Sequence, residues 1–247
     1  MSGRLVMMMV ELRSVVNPLL TRLHKSLRDR GVMATLRSAR RHASIASSRL
    51  VDRHFDWAFG TETRRMVEND AQRDVESANR ARGIRYEPTR ALPFRRVLRA
   101  AAIPNHGVFV DLGCGKGRVC MLAAMLGFEN IVGVDYSPVL CRIAEKNIEV
   151  FRARTGRRFQ SRIRAMDAAD YVFSPDDTVL YLFNPFDAAV LSAVMARLRQ
   201  SLATHPRRVW IVYQNPVWRD TVETGGGFVR AGDWTFGGSD FAVYRSE

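Results

Sequence analysis

Apolar positions follow two different periods along this chain. Leu12, Val15, Val16, Leu19, Leu20, Leu23 and Leu27 recur at helical spacing, and Pro18 is placed to kink or split that helix. A second helical stretch is predicted near residues 32–51. From residue 91 onward, short apolar runs alternate with helical ones. A helix over 92–102 carries Pro93 in its first turn, and strand 108–111 follows. Then come helix 118–126 and strand 130–135. Ser137-Pro138 supplies an N-cap and a first helical residue, and that helix runs to about 154, with Gly156 as its stop. Strands are predicted at 162–166 and 178–183, a helix capped by Asp187 ends before Pro206, and a strand spans 208–213. The last two strands, 228–231 and 241–244, lie too close for a helix between them and predict an antiparallel hairpin. Strands separated by helices mean a parallel, doubly wound α/β sheet.

Charge divides the chain differently. Residues 1–50 hold ten Lys+Arg and two acids, Glu11 and Asp29, so they carry +8 of the total +13. The expected organisation is a basic helical N-terminal extension over 1–55, a linker and cofactor-lid segment over 56–90, and the α/β domain over 91–247. Met7-Met8-Met9 offers alternative starts to Met1. The extension either docks an anionic partner such as RNA or a membrane surface, or packs on its own domain. Of the 38 basic residues, 35 are arginine, which fits phosphate recognition and equally a bias toward arginine codons. No apolar run approaches a membrane span or a secretory signal. Cys114, Cys120 and Cys141 form no CxxC pair, and the five histidines have no metal-ligand spacing. A cytoplasmic protein without a metal site is the expectation.

In open parallel sheets, ligands bind beyond the carboxyl ends of the strands. The five parallel strands end on Asp111, Asp135, Asp167, Asn184 and Gln214-Asn215. After the first comes Gly113-Cys114-Gly115-Lys116-Gly117. The P-loop pattern GxxxxGK[ST] fails here, because Gly115-Lys116 is followed by Gly117. The dinucleotide pattern GxGxxG fails too, since the third glycine comes one residue early. A carboxylate before the loop would repel a pyrophosphate and suits a cationic ligand.

The DxGxGxG loop, the acid closing the second strand and the aspartate at the third strand end resemble class I S-adenosylmethionine-dependent methyltransferases. The resemblance covers residues 86–247 and is strongest over 108–136. It implies a mostly parallel seven-stranded sheet with an antiparallel last strand, and S-adenosyl-L-methionine as cofactor. It implies that Gly113, Gly115 and Gly117 let the backbone approach the ligand and that Asp111 faces its cationic end. Asp135 would accept from the ribose hydroxyls, with Tyr136 beside the adenine. Asp167 would accept from the adenine amino group, and the Ala168 N–H would reach a ring nitrogen. Tyr86 and Thr89 stand where related enzymes close a segment over the cofactor.

Asn184-Pro185-Phe186 follows the fourth strand, where amino-group methyltransferases of this fold carry [DNS]-Pro-Pro-[aromatic]; one proline is absent here. The resemblance makes these three the catalytic residues, with the amide orienting an acceptor nitrogen and the ring stacking on it. Glu87 and Asp187 are further candidates for a base. The expected activity is methyl transfer to a nitrogen of a protein, an RNA or a small molecule. The alternative is a non-catalytic RNA- or membrane-binding protein that keeps the fold.

Overall fold

A computed structural model describes residues 32–64 and 87–247. The helix predicted over 12–27 and the lid candidate Tyr86 lie outside them. The chain divides between Ser47 and Ser48 into two units, at a point inside helix α1 (Val32–Phe59). That boundary falls within the extension expected over 1–55. In the first unit the Ser47 hydroxyl donates to the Ser44 carbonyl at 3.0 Å.

The second unit begins with the last turns of α1 and continues with α2 (Ala91–Ala100), β1 (Val108–Leu112), α3 (Arg118–Met125) and β2 (Asn130–Asp135). Next come α4 (Pro138–Thr155), β3 (Gln160–Ala165), a 3-10 turn (Ala168–Asp170) and β4 (Asp177–Phe183). The chain ends through α5 (Ala188–Thr204), β5 (Trp210–Gln214), α6 (Arg219–Glu223), β6 (Phe228–Phe236) and β7 (Ser239–Ser246). The sheet order is β3-β2-β1-β4-β5-β7-β6. The first five strands in that order are parallel, and β7 runs antiparallel to β5 and to β6. This is a doubly wound α/β fold with the seven strands and the antiparallel last strand that the resemblance implies. β1 starts a new direction of strand order, with β2 on one side and β4 on the other, so its carboxyl end opens the crevice where ligands bind.

Local signals explain the element ends. Ser137 caps α4, its hydroxyl accepting from the Leu140 N–H at 3.3 Å, and Gly156 closes the helix at φ 65°. Asp187 caps α5 by accepting from the Ala189 and Val190 N–H groups. Alternation sorts the strand side chains into two cores. Phe109, Tyr181 and Val212 join Phe55 of α1, Phe94 and Val97 of α2, and Phe151 of α4. Val110, Leu112, Leu180 and Tyr213 face the other way, with Val190, Val194 and Leu198 of α5. Each fully buried ring or branched chain of this kind contributes about 1.5–3 kcal/mol.

Three differences from the sequence expectation have physical causes. α1 continues to Phe59 because Phe55 and Phe59 pack edge to face, and Phe59 packs the same way on Phe151. β6 and β7 are longer than the apolar runs that marked them, since β6 is half exposed and carries polar residues. The 3-10 turn and α6 are too short to leave a period in the sequence.

Candidate active site

The glycine loop leaves β1 in a tight left-handed path, with φ of 81°, 52° and 77° at Gly113, Gly115 and Gly117. Gly113 has a second reason to be glycine. A Cβ there would lie 2.4 Å from the Pro185 Cβ, so this position brings the loops after β1 and β4 into contact. The Gly113 and Cys114 N–H groups donate to the Val134 carbonyl, which ties the loop to β2.

Two buried carboxylates stand beside it. Asp135 accepts from the Gly115 N–H and the Ser137 N–H, both at 2.9 Å. Asp111 is 2% exposed, and the Cys120 thiol donates to it across 3.9 Å. Among the described residues neither carboxylate forms an ion pair. Burial pushes Asp135 up to about 6, against the two backbone N–H bonds that lower it. Burial, and then the charge of Asp135, push Asp111 well above the usual carboxylate range. A pair of desolvated carboxylates without a counter-ion fits a ligand bearing a sulfonium and an ammonium. Asp167 sits at the end of β3, beside Asp135 through the Met166 N–H to Asp135 carbonyl bond of 2.9 Å. Its carboxylate accepts from the Ala169 N–H, and it, Ala168 and Tyr136 are half-buried. The structure therefore gathers the expected cofactor residues, Tyr86 and Thr89 aside, at the carboxyl ends of β1, β2 and β3.

This environment sets a pH dependence. Below about pH 6 Asp135 takes up a proton; a cationic ligand then loses its counter-charge and the ribose hydroxyls lose an acceptor. Affinity for S-adenosylmethionine should fall about tenfold per pH unit below 6 for each linked proton. Calorimetry from pH 5 to 8 tests this, and Asp135→Asn should flatten the curve; a flat wild-type curve would contradict the assignment. In folding the sign is opposite to that of a salt-bridged aspartate. The raised pKa favours the protonated folded state, so this stabilisation is full below about 4, the unfolded value, and is lost as pH rises through about 6.

Asn184 is 7% exposed and holds φ 40°, unusual for a residue other than glycine. Its Oδ1 accepts from the Tyr213 hydroxyl at 3.0 Å, and that hydroxyl accepts from the Trp218 N–H at 3.3 Å. Asn215, the other Asn-Pro asparagine, also lies at positive φ, 49°. Phe186 is 7% exposed, as Asn184 is, and its ring packs in the core with Leu112, Val190 and Tyr213, which supports the turn. Thr89 is a buried anchor: its hydroxyl is 3.0 Å from the Tyr181 hydroxyl, which donates to Gln214 Oε1 at 2.5 Å. Glu87 is exposed, and Asp187 is committed to its cap.

A bracket around the loop went unread in the sequence. Arg118, first residue of α3, is 2% exposed. Its guanidinium donates to Thr63 Oγ1 at 2.7 Å, and to Asp52 Oδ1, the Asp52 carbonyl and the Thr89 carbonyl at 3.3 Å each. It also stacks on Phe55. Asp56 accepts from the Thr63 and Arg64 N–H groups and the Thr61 and Thr63 hydroxyls, which shapes the turn. Buried Lys116 donates to Glu62 at 2.9 Å, and Asn147 joins the Lys116 carbonyl to the Glu62 backbone. The end of α1 and its following turn thus clamp the loop from outside. The signal was present: Asp52 and Asp56 at i and i+4 beside Phe55, and an arginine opening an apolar run.

Fold and strand-end residues together fit the class I S-adenosylmethionine-dependent methyltransferases that the sequence resembles. Residues 109–204 match the family model described as a methyltransferase domain. Over 94 residues the chain is 30% identical to a ribosomal protein L11 methyltransferase of Xanthomonas campestris pv. campestris (strain 8004), a match covering 38% of this chain and 26% of that protein. A protein of the same description from Carboxydothermus hydrogenoformans (strain ATCC BAA-161 / DSM 6008 / Z-2901) is 29% identical over 97 residues, or 39% of this chain and 30% of that one. The chain therefore matches about a third or less of each relative's length. Among solved structures, an RNA methyltransferase from Salinibacter ruber in complex with S-adenosyl-L-homocysteine is similar at 23% identity and a TM-score of 0.46, covering 65% of this chain and 92% of that one. No helix among the described residues is long and apolar enough to cross a membrane.

Proposed function

We propose that this chain transfers a methyl group from S-adenosylmethionine to a nitrogen of a protein acceptor, with Asn184 as the residue that orients it. The observation carrying this reading is the placement of Asn184. It follows the end of β4, beside the Pro185 that touches Gly113 of the cofactor loop, and its amide oxygen is fixed by Tyr213. A carbonyl oxygen has two lone pairs, so Asn184 Oδ1 keeps acceptor capacity for an N–H of the substrate. The relatives named for a ribosomal protein support a protein acceptor.

S-adenosylmethionine, when bound, supplies a methyl group on a sulfonium that is already a good electrophile. The chain's own task is to hold the reacting atoms in line and exclude water. Asp111 and Asp135 bind the cation and the ribose. The glycine loop lets the backbone approach, and Asn184 points the nitrogen lone pair. The basic segment over 1–50 is a further proposed docking element for the acceptor. The test is mass spectrometry of cell extract incubated with the protein and methyl-labelled cofactor. A labelled protein, with label on lysine or an N-terminal amine, is the expected product. Label confined to RNA or metabolites would overturn the protein acceptor, and label on carboxyl or thiol groups would overturn transfer to nitrogen.

A further inference from the structure

Positive charge is not spread evenly over the chain. Residues 142–164 hold eight Lys+Arg against two acids. Outside this block and residues 1–50, there are twenty Lys+Arg against twenty-one Asp+Glu, so the two blocks account for the whole excess. A codon bias alone would scatter arginine without sorting it from acids. Within the block, residues 150–165 contain six arginines and no acid. Arg154, Arg157, Arg158, Arg162 and Arg164 are exposed, and none of them forms an ion pair among the described residues.

The fold lines these arginines up. They run from the last turn of α4 along β3, the edge strand of the sheet. Arg162 and Arg164 alternate onto one face of β3. That face is left open, because only the 3-10 turn, and no α-helix, connects β3 to β4. A groove of about 330 Å³ lies there, lined by both arginines, Tyr171 and Val172. The acids on its wall are Asp176 and Asp177, and Asp177 is buried and bonded to the Tyr171 hydroxyl and the Ser174 N–H.

We infer that this edge is a docking surface for the phosphate backbone of a structured RNA. Guanidinium groups bind phosphate as a fork, and these arginines give up no ion pair to do so; Arg157 reaches only the Ala124 carbonyl at 3.4 Å, and Arg164 lies over the Tyr171 ring. Val172 is the one exposed large apolar side chain on this stretch among the described residues, too little for insertion into a membrane. The edge presents no helix or two-stranded ribbon shaped to enter a DNA major groove, whereas RNA is met through shape and backbone. β3 ends at Ala165, two residues before Asp167, so an RNA lying along it leads toward the cofactor site. The surface is separate from the methyl-transfer site and stands whatever the acceptor.

The test is fluorescence anisotropy of a labelled RNA hairpin with the full chain between 50 and 200 mM salt. A plot of log affinity against log salt should have a slope of about −2 or steeper, the signature of several displaced counterions. The triple variant Arg158→Gln, Arg162→Gln, Arg164→Gln should bind roughly ten- to a hundredfold more weakly and lose about two units of slope. A control of equal charge, Arg99→Gln, Arg208→Gln, Arg245→Gln, should stay within about threefold. Both variants should keep wild-type cofactor affinity, which shows that they fold. Unchanged RNA binding in the first variant would overturn the inference. So would equal losses in both variants, or binding of duplex DNA or anionic vesicles as tight as that of RNA.

Discussion

Arg118→Met should destabilise the protein by about 3–5 kcal/mol, the cost of breaking a buried ion pair on one side. For a domain of this size that lowers the melting temperature by roughly 6–20 °C. The arginine side chain is 2% exposed and its partner Asp52 only 13%. Removing the cation leaves Asp52 half-desolvated, and the Thr63 hydroxyl and Thr89 carbonyl lose a donor. Arg118→Lys should recover little, because one ammonium cannot reach the Thr63, Asp52 and Thr89 oxygens that the fork spans. Pairing Arg118→Met with Asp52→Asn should cost less than the two single changes added together. Cofactor affinity should fall with stability, since the clamp holds the loop from Lys116 to Arg118. Thermal melts of the wild type and these four variants check this; a stable Arg118→Met variant with normal cofactor binding would show that the end of α1 is not part of the site.

Asn184→Ala should lower kcat by about 10- to 1000-fold, roughly 1.4–4 kcal/mol at the barrier. An amide that orients a nitrogen lone pair acts mostly in the transition state. Cofactor affinity should change little, because the proposed adenosyl contacts come from the ends of β1, β2 and β3. Tyr213→Phe should reproduce part of the loss, since the 3.0 Å bond that fixes the amide disappears while the ring still packs. Full turnover in Asn184→Ala, with a lowered melting temperature, would make this asparagine a structural turn residue. The search for acceptor contacts would then move to Gln214 and Asn215.

The sheet, and the carboxylates gathered at its strand ends, were legible because they rest on local patterns. The alternation of apolar runs placed β1 to β5, and the strand-end carboxylates with the glycine spacing named Asp111, Asp135 and Asp167. Elements without a periodic core face were harder, such as α6 and the 3-10 turn. The clamp was missed because its parts are far apart in sequence. Asp52, Thr63, Thr89 and Arg118 meet only once the chain has folded, and each alone reads as an ordinary surface polar residue. Phe186 shows the complementary limit. A motif fixes the residue type, and the packing of α5 against the sheet decides whether the ring faces a substrate or the core. Thr89 showed the same limit, its hydroxyl turned inward to Tyr181.

Calorimetric titration of the protein with S-adenosylmethionine, with NAD, and of the Asp135→Ala variant with S-adenosylmethionine, is the most direct measurement. Saturable one-to-one binding of S-adenosylmethionine is expected, with no heat from NAD. Asp135→Ala should weaken binding by about 1.5–3 kcal/mol, the scale of a hydrogen bond to a charged group. Binding of NAD, absence of S-adenosylmethionine binding, or unchanged affinity in the variant would contradict the assignment of this loop and its two carboxylates to the cofactor.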